Sequence, residues 1–184
     1  MIFNVLFVAV ILGLIIFGII FCSKAVLKFI YPIKYESLVE STSKEYGVEK
    51  ELIYAIIKCE SGFDEDAKSH AGACGLMQIT PETFEWVGKY RAKSKDFKGA
   101  DIHKPETNIK IGTLFISILM EKHKNEVLAL CAYNAGMNAV NRWLKENAEF
   151  KKSADTEHIP YPETKEYVRR VQRAKKMYKK LYFN

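Results

Sequence analysis

From Ile2 to Cys22 the chain carries no charged side chain and is almost wholly Ile, Leu, Val and Phe. As a helix rising ~1.5 Å per residue, that stretch covers roughly 30 Å, one crossing of a bilayer's hydrocarbon core. A cleaved signal peptide would want a basic leader and a small-residue cleavage site, and neither stands before Lys24. Cys22 does not read as a lipid-attachment site, because bulky Phe21 precedes it where a small residue would be needed. The expectation is an uncleaved transmembrane anchor over 1–23, a juxtamembrane linker over 24–34 and one folded domain over 35–184, a length suited to a single core. Lys24, Lys28 and Lys34 follow the span. By the positive-inside rule they would draw the domain into the cytoplasm.

Past Pro32, apolar residues recur at helical spacing between Gly, Pro and polar breaks, and no strand-like alternation persists. One helix is predicted from Glu36 to Tyr46, ended by Gly47. A second starts near Glu49 and places Leu52, Ile53, Ile56 and Ile57 on one face. Glu60 falls in the last turn at the edge of that apolar stripe, where a carboxylate is partly desolvated. Thr80 and Pro81 read as the N-cap and first residue of a helix that buries Phe84 and Val87. Pro105 opens another, with Ile109, Gly112, Ile116 and Leu119 on one face. Glu126 to Ala135 is a short apolar helix closed by Gly136, and Val140, Trp143 and Leu144 mark the next. A polar loop from about Asn147 to Pro162 leads into a terminal helix with an apolar line of Tyr167, Val171, Ala174, Tyr178 and Leu181. The sum is a compact all-α domain preceded by one transmembrane helix.

The formal charge of +6 favours an anionic partner without choosing among nucleic acid, lipid and wall polymer. Much of it lies on the terminal helix, from Lys165 and Arg169 to Lys179 and Lys180. The plain reading of that helix is a packed amphipathic element with a solvated basic face; retention on teichoic acid or anionic lipid is the sharper one. No nucleic-acid motif accompanies the charge, so no nucleic-acid partner is expected. Cys59, Cys74 and Cys131 lie outside any CxxC spacing and read as free, buried thiols. His70, His103, His123 and His158 show no ligand spacing, and neither metal nor cofactor is expected.

Four strings stand out in order: Glu60-Ser61-Gly62-Phe63; Ser69 through Gln78, with Gly75-Leu76-Met77-Gln78 at its end; Ala132-Tyr133-Asn134-Ala135-Gly136; and Ile159-Pro160-Tyr161-Pro162-Glu163-Thr164 with Tyr167-Val168. Together they resemble the soluble lytic transglycosylases, from about Tyr35 to Tyr182. The resemblance implies a goose-type-lysozyme-like fold and cleavage of the β-1,4 bond between N-acetylmuramic acid and N-acetylglucosamine in peptidoglycan, with formation of a 1,6-anhydro ring. It makes Glu60 the catalytic acid and base. It also implies that Ser69 and Gln78 hydrogen-bond sugars near the scissile bond, that Tyr133 lines the cleft, and that Glu163 contacts sugar. Gly75, Met77, Asn134 and Gly136 would shape the site, Met77 by packing. The expected partners are peptidoglycan glycan strands, the cytoplasmic membrane through the N-terminal helix, and anionic wall polymers, with the domain outside that membrane. Three positions depart from the family pattern: Thr80 stands where methionine is common, Met137-Asn138 replaces Pro-Gly, and Lys104 replaces an aspartate.

The residues support the same chemistry on physical grounds. Leaving-group departure needs a proton, and a carboxylic acid supplies it near neutral pH only where its surroundings raise its pKa. An ordinary glycosidase would add a second carboxylate. Asp64, Glu65 and Asp66 are the nearby candidates in sequence, and a charge run of this kind reads as solvated loop acids. Two rivals stay open: a hydrolytic muramidase on the same fold, and a noncatalytic glycan-binding or assembly module.

Overall fold

The computed structural model describes residues 24–90 and 101–183. The apolar stretch predicted to cross a membrane lies outside these residues, and among the described ones no helix is long and apolar enough to do so. Residues 24–30 are helical. Eight helices follow: α1 (Glu36–Tyr46), α2 (Lys50–Glu60), α3 (Pro81–Tyr90), α4 (Pro105–His123), α5 (Glu126–Ala135), α6 (Met137–Glu146), α7 (Ala148–Ser153) and α8 (Pro162–Tyr178). The chain then widens into a π-helical turn over Lys179–Phe183.

Two helices carry the core. In α2 every residue from Glu51 to Ile57 is buried, and in α4 ten of the nineteen residues are. Helix α4 packs against α1, α3 and α5, while α2 lies along α8. The pair α2 and α8 is antiparallel: Tyr167 near the start of α8 meets Glu60 at the end of α2, and Tyr178 stacks on Tyr54 further back, 5.4 Å between ring centroids. The apolar line expected on the terminal helix is buried at Tyr167, Val171, Ala174 and Tyr178.

The expected polar loop from Asn147 to Pro162 is largely ordered helix instead. The Asn147 side chain accepts from the Phe150 amide at 2.9 Å and so caps α7, and Phe150, wholly buried, packs edge-on against Trp143. Phe150, with Ile159 further on, ties this polar stretch to the core. The basic face of α8 is likewise less free than expected. Lys175 bridges Glu49 and Glu126, and Lys165 and Arg169 hold Glu157. Cys74 and Cys131 are buried free thiols as expected, whereas Cys59 is only half-buried.

Helix starts explain two family departures. Thr80 caps α3, its hydroxyl accepting from the Thr83 amide at 3.2 Å. Lys104 occupies the N-cap of α4 with extended backbone and no side-chain cap bond. A cation there faces the positive end of the helix, and the amides of the first turn lack a side-chain acceptor. The Lys104→Asp variant is therefore expected to be more stable by about 1 kcal/mol, read from urea unfolding at neutral pH.

Candidate active site

Helix α2 delivers Glu60 as its final residue, partly exposed at the rim of the buried Ile53–Ile57 face. Ser61 fastens that helix end. Its hydroxyl donates to the Leu76 carbonyl at 2.9 Å and accepts from the Phe63 amide at 3.1 Å. The Leu76 carbonyl belongs to a loop closed by two isolated antiparallel bridges, Lys68 with Cys74 and Cys74 with Ile79. Asn108, fully buried on α4, locks this loop from beneath. Its Oδ1 accepts from the Met77 amide at 2.8 Å, and its Nδ2 donates to the carbonyls of Cys74 and Ile102 at 2.9 and 3.0 Å. Gly75 makes room for Asn108: its φ is +75°, and a Cβ there would lie 2.7 Å from Asn108 Cγ. Gly112 does the same for Met77, whose Cβ would stand 2.8 Å from an added methyl. Met77 packs against Gly112 with no exposed surface.

Tyr133 joins this loop to α5. Its hydroxyl donates to the Met77 carbonyl at 2.9 Å, and its ring sits 5.1 Å from that of Phe115. From the other side, the buried Tyr167 hydroxyl donates to Glu60 Oε1 at 2.7 Å. Glu60, Tyr133 and Tyr167 form one electrostatic cluster: burial holds both phenols well above their usual pKa, and the Glu60 charge pushes them further in the same direction. Both therefore remain neutral hydroxyls.

Burial pushes the Glu60 carboxyl up to about 7, against the Tyr167 hydrogen bond and the positive charge of Arg170, both of which favour the carboxylate. A group so balanced can release a proton near neutral pH and take one back. Asp64, Glu65 and Asp66 are exposed, as expected of loop acids. Asp64 Oδ1 accepts from the Asp66 amide, and Glu65 accepts from the Tyr35 hydroxyl.

The other sequence candidates divide. Gln78 braces the loop, its Nε2 donating to the carbonyls of Ala67 and Gly75 at 3.0 Å each. Ser69 is exposed; its oxygen accepts from the Ala73 amide at 3.1 Å, so its own proton remains for an outside acceptor. Asn134 accepts from the Thr164 hydroxyl at 2.9 Å, tying the turn at Gly136 to the start of α8. Glu163, exposed in the first turn of α8, lies one residue before that tie. Sequence reasoning missed Asn108 altogether, read Arg170 only as surface charge, and named Thr164 and Tyr167 in a family string without giving either a role at the site. The available signal for Asn108 was a polar side chain one turn before Gly112 on an otherwise apolar face.

The family described as "Transglycosylase SLT domain" matches residues 37–156. The chain is a member of that family. It is similar to the soluble lytic murein transglycosylase of Salmonella typhimurium, 34% identical over 144 residues that make up 77% of this chain and 22% of that protein. It is also similar to the membrane-bound lytic murein transglycosylase C of Haemophilus ducreyi, 36% identical over 119 residues, 58% of this chain and 32% of the other. The SLT fold itself is seen in the 70 kDa soluble lytic transglycosylase of Escherichia coli, which superposes with a TM-score of 0.74 at 30% identity over 84% of this chain and 25% of that one. The chain thus spans between about a fifth and a third of the length of these relatives.

Proposed function

We propose that this SLT domain is a peptidoglycan lytic transglycosylase, held at the outer face of the cytoplasmic membrane by the Ile2–Cys22 stretch, with Glu60 as its acid and base. One observation carries the reading: a half-buried carboxyl poised near pH 7, hydrogen-bonded to a neutral tyrosine. The names of the relatives, soluble and membrane-bound murein transglycosylases, support the substrate and the surface on which it is met.

Because Tyr167 donates to Oε1, the carboxyl proton stands on Oε2. That proton passes to the glycosidic oxygen as the bond to the muramoyl C1 breaks. The carboxylate left behind then takes the proton of the muramoyl C6 hydroxyl, whose oxygen forms the new bond to C1. Glu60 ends protonated, as it began, and no water is consumed. Intramolecular attack supplies the proximity that a bound water would otherwise need a second carboxylate to arrange. Tyr167 and Arg170 stabilise the carboxylate between the two transfers. Ser69 offers a free hydroxyl donor toward sugar, Gln78 holds the loop beneath it, and Tyr133 and Glu163 complete the glycan-facing set. The basic side chains not engaged in ion pairs add attraction for anionic wall polymers.

The test is product analysis. Purified peptidoglycan digested by the full chain is expected to yield 1,6-anhydromuramoyl ends by mass spectrometry. Reducing muramic acid ends would establish the hydrolytic muramidase instead, and equal biological activity of wild type and Glu60→Gln would establish a noncatalytic module.

Tyr167→Phe removes a hydrogen bond that favours the carboxylate, so Glu60 shifts further up and becomes a poorer resting anion. The alkaline limb of the pH–rate profile is expected to move to higher pH while kcat falls by about ten- to a hundredfold. A loss of activity with an unmoved profile would assign Tyr167 to packing alone.

A further inference from the structure

We propose that residues 24–30, backed by the aromatic end of the chain at 179–183, form a membrane-seating face that rests in the interfacial layer of an anionic bilayer and holds the domain directly on the membrane surface. The proposal rests on the anchored reading above and goes beyond it, replacing a flexible tether with a rigid seat.

Three of the four exposed large hydrophobic residues among the described ones lie here: Val26 at 56% exposure, Phe29 at 87% and Ile30 at 42%. Their spacing of i, i+3 and i+4 puts them on one helical face. Lys24 and Lys28 occupy the opposite face, and Lys28 Nζ stands 5.4 Å over the ring of Tyr182. The lysine side therefore looks toward the domain and the apolar side away from it. Nothing of the described protein covers the apolar face of this segment.

The segment is nonetheless fixed to the domain. The Tyr182 hydroxyl donates to the Tyr31 carbonyl at 2.8 Å, the Tyr178 hydroxyl donates to the Pro32 carbonyl at 3.2 Å, and the Tyr31 ring meets Tyr178 edge-on at 5.6 Å. These contacts would make the expected linker over 24–34 a strut.

Two observations choose a bilayer over a second copy of the chain. The uncharged Ile2–Cys22 stretch ends four residues before Val26 in the sequence, so whatever holds that stretch lies near Val26 and Phe29. Exposed lysines gather around the same segment and chain end: Lys24, Lys28, Lys34, Lys179 and Lys180. Anionic headgroups would be drawn to this end of the molecule, whereas a second copy would bring only more positive charge to it. Tyrosines such as Tyr31 and Tyr182, with an apolar ring and a polar tip, suit that layer. The lysines after the span then serve as headgroup contacts, which answers the bias they give the positive-inside rule.

The seat fixes the reach of the active site. Lys50, at the start of α2, stands 5.1 Å over the ring of Phe183, and Glu60 ends the same helix roughly 15 Å further along its axis. The acid is carried at a constant height above the membrane, which directs it to glycan in the layer nearest the bilayer.

The full chain is reconstituted into phosphatidylglycerol–phosphatidylcholine vesicles, and tryptophan is introduced as Phe29→Trp or, as a distant exposed control, Asp66→Trp. With lipids brominated near the headgroup, the fluorescence added by Phe29→Trp is expected to be mostly quenched and that added by Asp66→Trp to be unchanged. The seat is refuted if Phe29→Trp stays bright, or if both positions are quenched alike, while the chain resists an alkaline carbonate wash. Loss of the chain in that wash refutes the anchor itself, and the seat with it.

Discussion

Replacement of Glu60 by glutamine is expected to abolish glycan cleavage and, at the same time, to make the domain more stable at alkaline pH. The rate should fall by at least about a thousandfold, because a single group performs both proton transfers. Glutamine keeps an oxygen to accept the Tyr167 hydrogen bond, so the fold is retained. The stability change follows from the carboxyl's position near 7 in the folded protein against an ordinary value of 4.5. Below pH 4.5 Glu60 is protonated in both folded and unfolded chains, and the variant gains nothing. Between 4.5 and about 7 the unfolded chain ionises first, so the wild type loses stability as pH rises through that window. Above it the variant should be ahead by up to about 3 kcal/mol, at ~1.4 kcal/mol per pKa unit. Urea unfolding at pH 4 and pH 8 reads this directly. An equal urea midpoint difference at both pH values would show that Glu60 is not held protonated by the fold.

Asn108→Ala carries the second large effect. The substitution orphans the buried Met77 amide and takes one donor each from the carbonyls of Cys74, which keeps the Ile79 amide, and Ile102, beneath the loop that presents Gln78 and receives Tyr133. At about 1 to 3 kcal/mol for the orphaned buried amide, with the two weakened carbonyls and the void left by the side chain added, the expected loss is roughly 2 to 4 kcal/mol. The loop should loosen first. Hydrogen exchange at the Met77 amide is expected to accelerate more than exchange in the middle of α4, and activity should fall even at temperatures where the domain stays folded. Uniform acceleration across the domain would mean that Asn108 stabilises the core in general and not the site loop.

The helices were legible because their information is local. The stripe of Leu52, Ile53, Ile56 and Ile57, the Thr80-Pro81 start and the Gly136 turn each declare themselves within a few residues, and each lies where its spacing puts it. Glu60 was legible for the same reason, as a carboxylate at the edge of an oily face. The hydrogen bond that steadies its carboxylate was not. Tyr167 is 107 positions away, and on its own helix it is one more buried aromatic; its role exists only because α8 runs antiparallel to α2. Asn108 is similar: its partners lie 31 and 34 positions back in a loop whose sequence gives no hint of what supports it. Helix α7 was missed because one apolar residue, Phe150, outweighs the polar composition around it once Asn147 caps the turn.

The account stands on the protonation of one side chain. Carbon-13 NMR of glutamate-labelled protein, with the Glu60 signal assigned by its absence from the Glu60→Gln variant, would follow that carboxyl as pH is raised. A midpoint close to 7, moving higher in Tyr167→Phe, is the predicted result. A midpoint near 4.5 would leave Glu60 ionised at neutral pH, with no proton to give, and would contradict the mechanism.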